Sequence, residues 1–246
     1  MRQSIPKNIH YCWFGRGPLP EYARKCIGSW RKFLPEYEIR EWNEDNFDIG
    51  AHPYVRSAYA AGKYAFVSDY ARFWILYNYG GIYFDTDVEA IKHLGEIGNT
   101  PFMGIEAAQD SAANVAPGLG MGAYPKMEIF RELLEEYDRM DFESEKAVPE
   151  TVVEKATRVL HRHGFSGKDE KQEVAGVRIY PSDVFCPLNH TTGILTTTNR
   201  TVSIHHYAAS WLDHRTFRYR LYRLKCLMIK IFGERIVMRL ADRLKR

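Results

Sequence analysis

The sequence predicts an α/β domain built on a nucleotide-binding style sheet, extended at its C-terminus by a basic helical tail. Three observations predict it. Residues 8–42 read as strand, helix, strand. Residues 62–79 read as a helix apolar nearly all round, hence buried. The run that follows, GGIYFDTDVEAI, reads as a strand that carries two carboxylates, Asp85 and Asp87. A β-α-β opening is the usual start of such a sheet.

In the opening unit, NIHYCWF alternates as a strand. LPEYARKCIGSWRKFL then places Leu19, Tyr22, Ala23, Cys26, Ile27, Trp30, Phe33 and Leu34 at helical spacing. Pro20 falls in its first turn, where proline is tolerated, and Pro35 stops it. YEIREW is the second strand. In the buried helix the polar exceptions are Ser68, Asp69 and Arg72, the last two three residues apart and so on one face. Gly80-Gly81 closes it, because glycine takes a left-handed cap without a Cβ penalty. A strand over IYFDTDV would place Tyr83, Asp85 and Asp87 on one face and Ile82, Phe84, Thr86 and Val88 on the other.

Residues 101–125 are rich in Gly, Ala and Pro and predict a functional loop. GLGMGAYP resembles a phosphate cradle but lacks the G-x-x-x-x-G-K-[ST] signature and follows no clear strand. KMEIFRELLEEYDRM and TVVEKATRVLHRHG are amphipathic helices, GKDEKQE a solvated turn, VRIYPSDVF a short strand and TVSIHHYAASW a later one. In the last stretch Phe217, Leu221, Leu224, Met228 and Ile231 make one apolar stripe. Ile236, Leu240 and Leu244 make another beyond Gly233, with Arg and Lys opposite.

The 246 residues suffice for a substantial core, and the organisation expected is a domain over 1–213 with a helical tail over 214–246. The net charge of +3 conceals an asymmetry: residues 214–246 hold 11 Lys/Arg and 2 acids, +9, which leaves −6 for the body. An acidic body without a recognition module speaks against nucleic acid. A basic amphipathic tail suits an anionic membrane surface, although helices packed on the domain would read the same way. Cys12, Cys26, Cys186 and Cys226 form no C-x-x-C pair, which removes support for zinc or thioredoxin chemistry. The N-terminus does not read as a signal peptide, and no run approaches the roughly 18 apolar residues of a membrane span. A cytoplasmic protein with reduced thiols is expected, peripheral on the inner face of the cell membrane if the tail binds there. Sixteen Tyr and five Trp supply many flat apolar surfaces with a polar edge, suited to stacking on rings.

Two carboxylates at close quarters repel each other and are costly to desolvate unless a cation neutralises them. A hard cation such as Mg²⁺ or Mn²⁺ takes oxygen ligands from one or two carboxylates and completes its shell with substrate phosphates. D-x-D near a strand end therefore fits a metal that clamps a diphosphate and stabilises it as it departs.

Three segments, IPKNIHYCWFG, SDYARFWILYNYGGIYFDTDVEAI and SIHHYAASW, resemble the DXD-containing glycosyltransferases of family 32. That family is related to yeast initiating mannosyltransferases and, more distantly, to the catalytic domains of clostridial glucosylating toxins. The resemblance implies a GT-A fold, a Rossmann-like mixed sheet flanked by helices. It also implies transfer of a hexose, with retention, from a nucleotide sugar, UDP-linked, to a glycan or lipid-linked acceptor. Bacterial surface-polysaccharide synthesis is the context expected. Carried over by residue, Trp13 would stack on the nucleobase and Tyr83 line base and ribose. Asp69 and Arg72 would hold sugar hydroxyls. Asp85 would contact ribose or sugar beside the Mn²⁺ or Mg²⁺, and Asp87 would ligate the metal. His206, five residues before Trp211, would be a further metal ligand. Trp211 would cover the leaving diphosphate. His205 and Ser210 remain candidates for the same work.

Two other classes meet parts of the pattern. FDTDV fits the nucleophile motif of haloacid-dehalogenase-type phosphatases, with Asp85 forming an aspartyl-phosphate, but no later G-D-x-x-x-D follows. A non-catalytic nucleotide-sugar or glycan-binding module would not need a metal clamp on a leaving group.

Overall fold

The computed structural model describes residues 4–106, 112–138, 150–189 and 192–207, together with Met140, Phe142 and Met228. The opening unit folds as its pattern dictates. Strand β1 (Asn8–Cys12), helix α1 (Glu21–Phe33) and strand β2 (Glu38–Trp42) form a β-α-β crossover. The two strands pair in parallel from Asn8↔Glu38 to Cys12↔Trp42. Pro20 caps α1 with an extended backbone, and the helix buries Ala23, Cys26, Ile27 and Trp30. Helix α2 (Pro53–Ala60) was not foreseen; its signals are Pro53 in the first turn and His52, whose ring accepts from Tyr54 N–H. The apolar helix α3 (Tyr64–Tyr79) ends at Gly80, whose φ of +63° only glycine takes freely.

Strand β3 (Gly81–Tyr83) ends earlier than the alternation predicts. Phe84 N–H still donates to His10 O at 3.1 Å, but Asp85 N–H donates to Gly118 O at 3.1 Å, and Val88 N–H returns to Asp85 O at 3.0 Å. The D-x-D segment is thus a turn, and a period of two does not carry across it. The chain resumes as β4 (Val88–Ala90), which pairs antiparallel with β10 (Ser203–His205) in a separate two-stranded sheet.

Half of the described part of the Gly-rich stretch is sheet. It supplies β5 (Phe102–Glu106), β6 (Asn114–Val115) and β7 (Met121–Ala123). These strands are buried on both faces, so they show no polar alternation to read. Their glycines admit close neighbours: a Cβ on Gly122 would meet the Phe102 ring at 2.4 Å. Helices α4 (Glu128–Asp138) and α5 (Val152–Arg162) follow their amphipathic patterns, and a Thr151–Glu154 capping box opens α5. Beyond β8 (Gln172–Val174), the strand expected over 177–185 divides at Pro181 into β9 (Val177–Tyr180) and a short helix, α6 (Ser182–Phe185).

The main sheet is mixed, with order β2-β1-β3-β7-β5-β9-β8 and β6 on β5. Neighbouring strand residues point to opposite layers. Cys12, Tyr83 and Met103 enter a core under α2, α3, α4 and α5, whereas Tyr11, Ile82 and Phe102 enter one with α1, α6 and β4. Between them, fully buried His10 accepts from Trp42 Nε1–H at Nδ1 (3.0 Å) and bonds Gly80 O through Nε2 (3.1 Å). This arrangement suits the neutral ring, and burial lowers its pKa to about 4. Among the described residues Cys12, Cys26 and Cys186 form no disulfide, and no helix is long and apolar enough to cross a membrane. Ser210, Trp211 and all of the tail except Met228 lie outside the described residues.

Candidate metal and active site

The site forms beyond the C-terminal ends of parallel β1 and β3, where α/β sheets open their ligand crevice. Helix α3 contributes Asp69 and Arg72 one turn apart. The Arg72 guanidinium lies 2.8 Å from Asp69 Oδ1 and 3.4 Å from Asp85 Oδ1, with its side chain 6% exposed. Its Nε donates to Ser68 O at 3.1 Å, and its Cζ stands 5.2 Å from the centre of the Tyr83 ring. Tyr83 OH donates to Asp85 Oδ1 at 3.0 Å. One carboxylate oxygen thus receives a phenol and a guanidinium.

The electrostatics follow from this packing. Burial opposes the charge on Arg72, but Asp85, Tyr83 and Asp69 outweigh it and hold the guanidinium firmly protonated. Burial pushes the Asp69 carboxyl up to about 6, against the pull of Arg72. Burial likewise keeps Tyr83 a neutral phenol, well above its ordinary range.

The turn after β3 presents the second aspartate to β10. His205 Nε2 lies 3.1 Å from Asp87 Oδ1, and Asp87 O accepts from His206 N–H at 3.0 Å. Burial alone would lower the His205 pKa; the Asp87 charge and hydrogen bond raise it instead, with help from Asp85 and Glu106. Ligand atoms of Asp85, Asp87 and His205 all fall within 4.8 Å of one another. Two carboxylates and an imidazole form a donor set that fits a divalent ion of the Mn²⁺ or Mg²⁺ type.

The structure brings together Asp69, Arg72, Tyr83, Asp85, Asp87 and His205. His206 is turned away, its Nε2 2.8 Å from Glu89 and its side chain 40% exposed. Neighbouring residues on an extended segment point oppositely, so only one of two consecutive histidines can face the aspartates. Trp13 leaves the end of β1 separately. Its indole N–H donates to Gly17 O at 2.6 Å, and it walls a cleft of about 230 Å³ with Arg16, Glu41, Asn43, Glu44 and Asp45. Three residues were missed by the sequence reading: Gly118, packed on Asp85; Tyr207, packed on His205; and Glu106, whose charge reaches both His205 and Tyr207. Gly118 and Glu106 lie in the stretch expected to be a functional loop and Tyr207 in SIHHYAASW, but no local spacing singles out the three residues, since each acts across the fold.

Residues 20–103 match the family model of the glycosyltransferase sugar-binding region containing DXD motif. The chain is 28% identical over 137 residues to inositol phosphoceramide mannosyltransferase 3 of Schizosaccharomyces pombe, an alignment covering 53% of this chain and 37% of that protein. Among solved structures it is similar to the PaToxG glycosyltransferase, with TM-score 0.50 and 21% identity over 65% of this chain and 70% of that one. It also aligns with an active-site mutant of LgtC, with TM-score 0.42 and 17% identity over 88% and 94% of the two chains.

Proposed function

We propose that this chain, which carries a DXD-type glycosyltransferase region on a GT-A fold, is a metal-dependent retaining glycosyltransferase. It moves a hexose from a nucleotide sugar, UDP-linked, to a glycan or lipid-linked acceptor in bacterial surface-polysaccharide synthesis. One observation carries the reading: two aspartates and a histidine converge beside a buried arginine at the mouth of a nucleotide-binding sheet. The hexose and the lipid acceptor draw support from the yeast relative, whose name specifies a mannosyltransferase of inositol phosphoceramide.

Asp85, Asp87 and His205 would hold Mn²⁺ or Mg²⁺. Bound there, the ion supplies Lewis acidity, clamping the donor diphosphate and offsetting the charge that develops as it leaves. The protein does the rest. Arg72, locked in the charged form, directs donors toward the sugar and fixes the Asp85 carboxylate. Asp69 accepts from sugar hydroxyls. Trp13 stacks on the base at its cleft, whereas Tyr83, expected to line the ribose, is buried in the core and instead holds Asp85 through its hydroxyl. Trp211 and Ser210, which lie outside the described residues, would cover the diphosphate. The basic stretch 214–246, outside the described residues except for Met228, would bind the anionic inner surface of the cell membrane, which would make the protein cytoplasmic and peripheral.

Donor hydrolysis tests the reading. The protein is incubated with UDP-Gal, UDP-Glc, UDP-GlcNAc or GDP-Man, with Mn²⁺ or with EDTA, and free nucleoside diphosphate is measured. Release from one donor only with metal supports transfer and names the sugar. Cleavage of p-nitrophenyl phosphate with every sugar donor intact would replace the reading with a phosphatase.

A further inference from the structure

Tyr207 stands out among the described residues on three counts. Its backbone φ is +48°, in the left-handed region that a bulky L residue rarely occupies. Its ring centre lies 4.2 Å from that of His205, inclined at 59°. Its hydroxyl lies 2.9 Å from Cys186 Sγ, a buried thiol at the end of α6, where Cys186 N–H donates to Ser182 O at 2.7 Å. The tyrosine is therefore held at both ends, by a strained backbone next to β10 and by a thiol fixed to a helix terminus. Backbone strain persists only where the surrounding structure over-determines it, and it concentrates at functional sites.

The imidazole it covers has little else to orient it. His205 Nε2 faces Asp87, and Nδ1 is buried with no hydrogen-bond partner among the described residues. A ring held at one nitrogen alone can still swing about its Cβ–Cγ bond. A metal-ligating histidine is ordinarily kept from this by a hydrogen bond from its second nitrogen. Among the described residues no such bond is made, and the adjacent ring of Tyr207 stands in its place.

We infer that Tyr207 is the positioning residue for His205: its ring, anchored through the hydroxyl to Cys186, sets the plane in which the imidazole meets the metal held with Asp85 and Asp87. The inference rests on the metal-dependent reading above. It adds a second tier to the site, running from the end of α6 through Cys186 and Tyr207 to His205.

Binding of Mn²⁺ to the full chain, followed by electron paramagnetic resonance without any sugar donor, tests it alongside thermal melting. Tyr207→Leu removes the ring and should weaken Mn²⁺ by about tenfold or more, the range for supporting partners of metal ligands. Tyr207→Phe keeps the ring and should restore most of the affinity, staying within about threefold of wild type. Cys186→Ala, which releases the hydroxyl, should match Tyr207→Phe; Tyr207→Met, which also removes the aromatic ring, takes the place of Tyr207→Leu if that variant does not fold. A purely structural tyrosine would lower the melting midpoint and leave the Mn²⁺ affinity of the folded protein alone. Wild-type affinity in Tyr207→Leu, or in Tyr207→Met where Tyr207→Leu does not fold, overturns the inference and leaves the metal site standing. A wild-type chain that binds no Mn²⁺ overturns the metal site and the inference together.

Discussion

A Cβ placed on Gly118 would fall 2.1 Å from Oδ2 of Asp85 and 3.0 Å from its Cγ. The glycine also accepts Asp85 N–H through its carbonyl, so one residue of the Gly-rich segment holds the first D-x-D aspartate by backbone and by shape. Gly118→Ala should fold, because the obstacle is the movable end of a side chain. The displaced carboxylate would lose Tyr83 OH and Arg72, now at 3.0 and 3.4 Å. Metal-dependent donor hydrolysis should fall by about 10²-fold, the usual effect of ångström-scale misplacement at a reacting centre. Near-wild-type turnover in a folded Gly118→Ala protein would show that Asp85 need not sit where it does.

Consecutive histidines with opposite partners give a direct contrast. His205→Ala and Asp87→Ala should fold and lose Mn²⁺ binding together with turnover. His206→Ala, which removes only an exposed contact with Glu89, should bind Mn²⁺ within about twofold of wild type, as expected for a surface change away from the ligands. Calorimetric titration of Mn²⁺ into the three variants checks this, and the reverse pattern would give the ligand role to His206.

Arg72 balances two acids in a place with little water. Arg72→Ala leaves Asp69 and Asp85 without it and should destabilise the protein by about 3–5 kcal/mol, the usual cost of stranding a buried charge. Asp69→Asn leaves Arg72 its Asp85 partner and should cost clearly less. Urea midpoints of the two variants decide the ranking; equal losses would mean that Asp69, not Asp85, carries the pairing.

His10 predicts a pH dependence of the fold itself. Its folded pKa of about 4 lies below the ordinary 6.5, so the native state binds fewer protons than the unfolded chain between those values. Stability is then full above 6.5 and falls as pH drops toward 4. The loss attributable to this one ring between pH 7 and pH 4.5 is about 2 kcal/mol. His10→Gln should show a flatter urea midpoint over the same interval; an unchanged slope would refute the assignment.

Deletion of residues 214–246 should release the protein from anionic liposomes and leave neutral ones unaffected. Equal sedimentation of the full and truncated chains with anionic vesicles would remove the membrane role from the tail.

Much of this was legible in the chain. The β-α-β opening, the buried helix with its Asp69–Arg72 pair, the two aspartates and the histidine pair of the last strand all declare themselves. Periodicity, capping and i,i+3 spacing act within a few residues of sequence. The segment from Phe84 to Asp87 did not declare itself as a turn, because Asp85 N–H donates to Gly118 O, 33 positions away. The central strands β5 and β7 were hidden for a related reason: buried on both faces, they carry no alternation, and their glycines look like loop.

The sequence by itself determined the fold class, the residues able to carry charge and metal, and the helix that buries an arginine among acids. Only the tertiary structure decided which histidine faces the aspartates, which glycine makes room for Asp85, and which tyrosine leans on His205. Those choices depend on strand ends and side-chain directions set by hydrogen bonds between distant segments, and no local spacing encodes them.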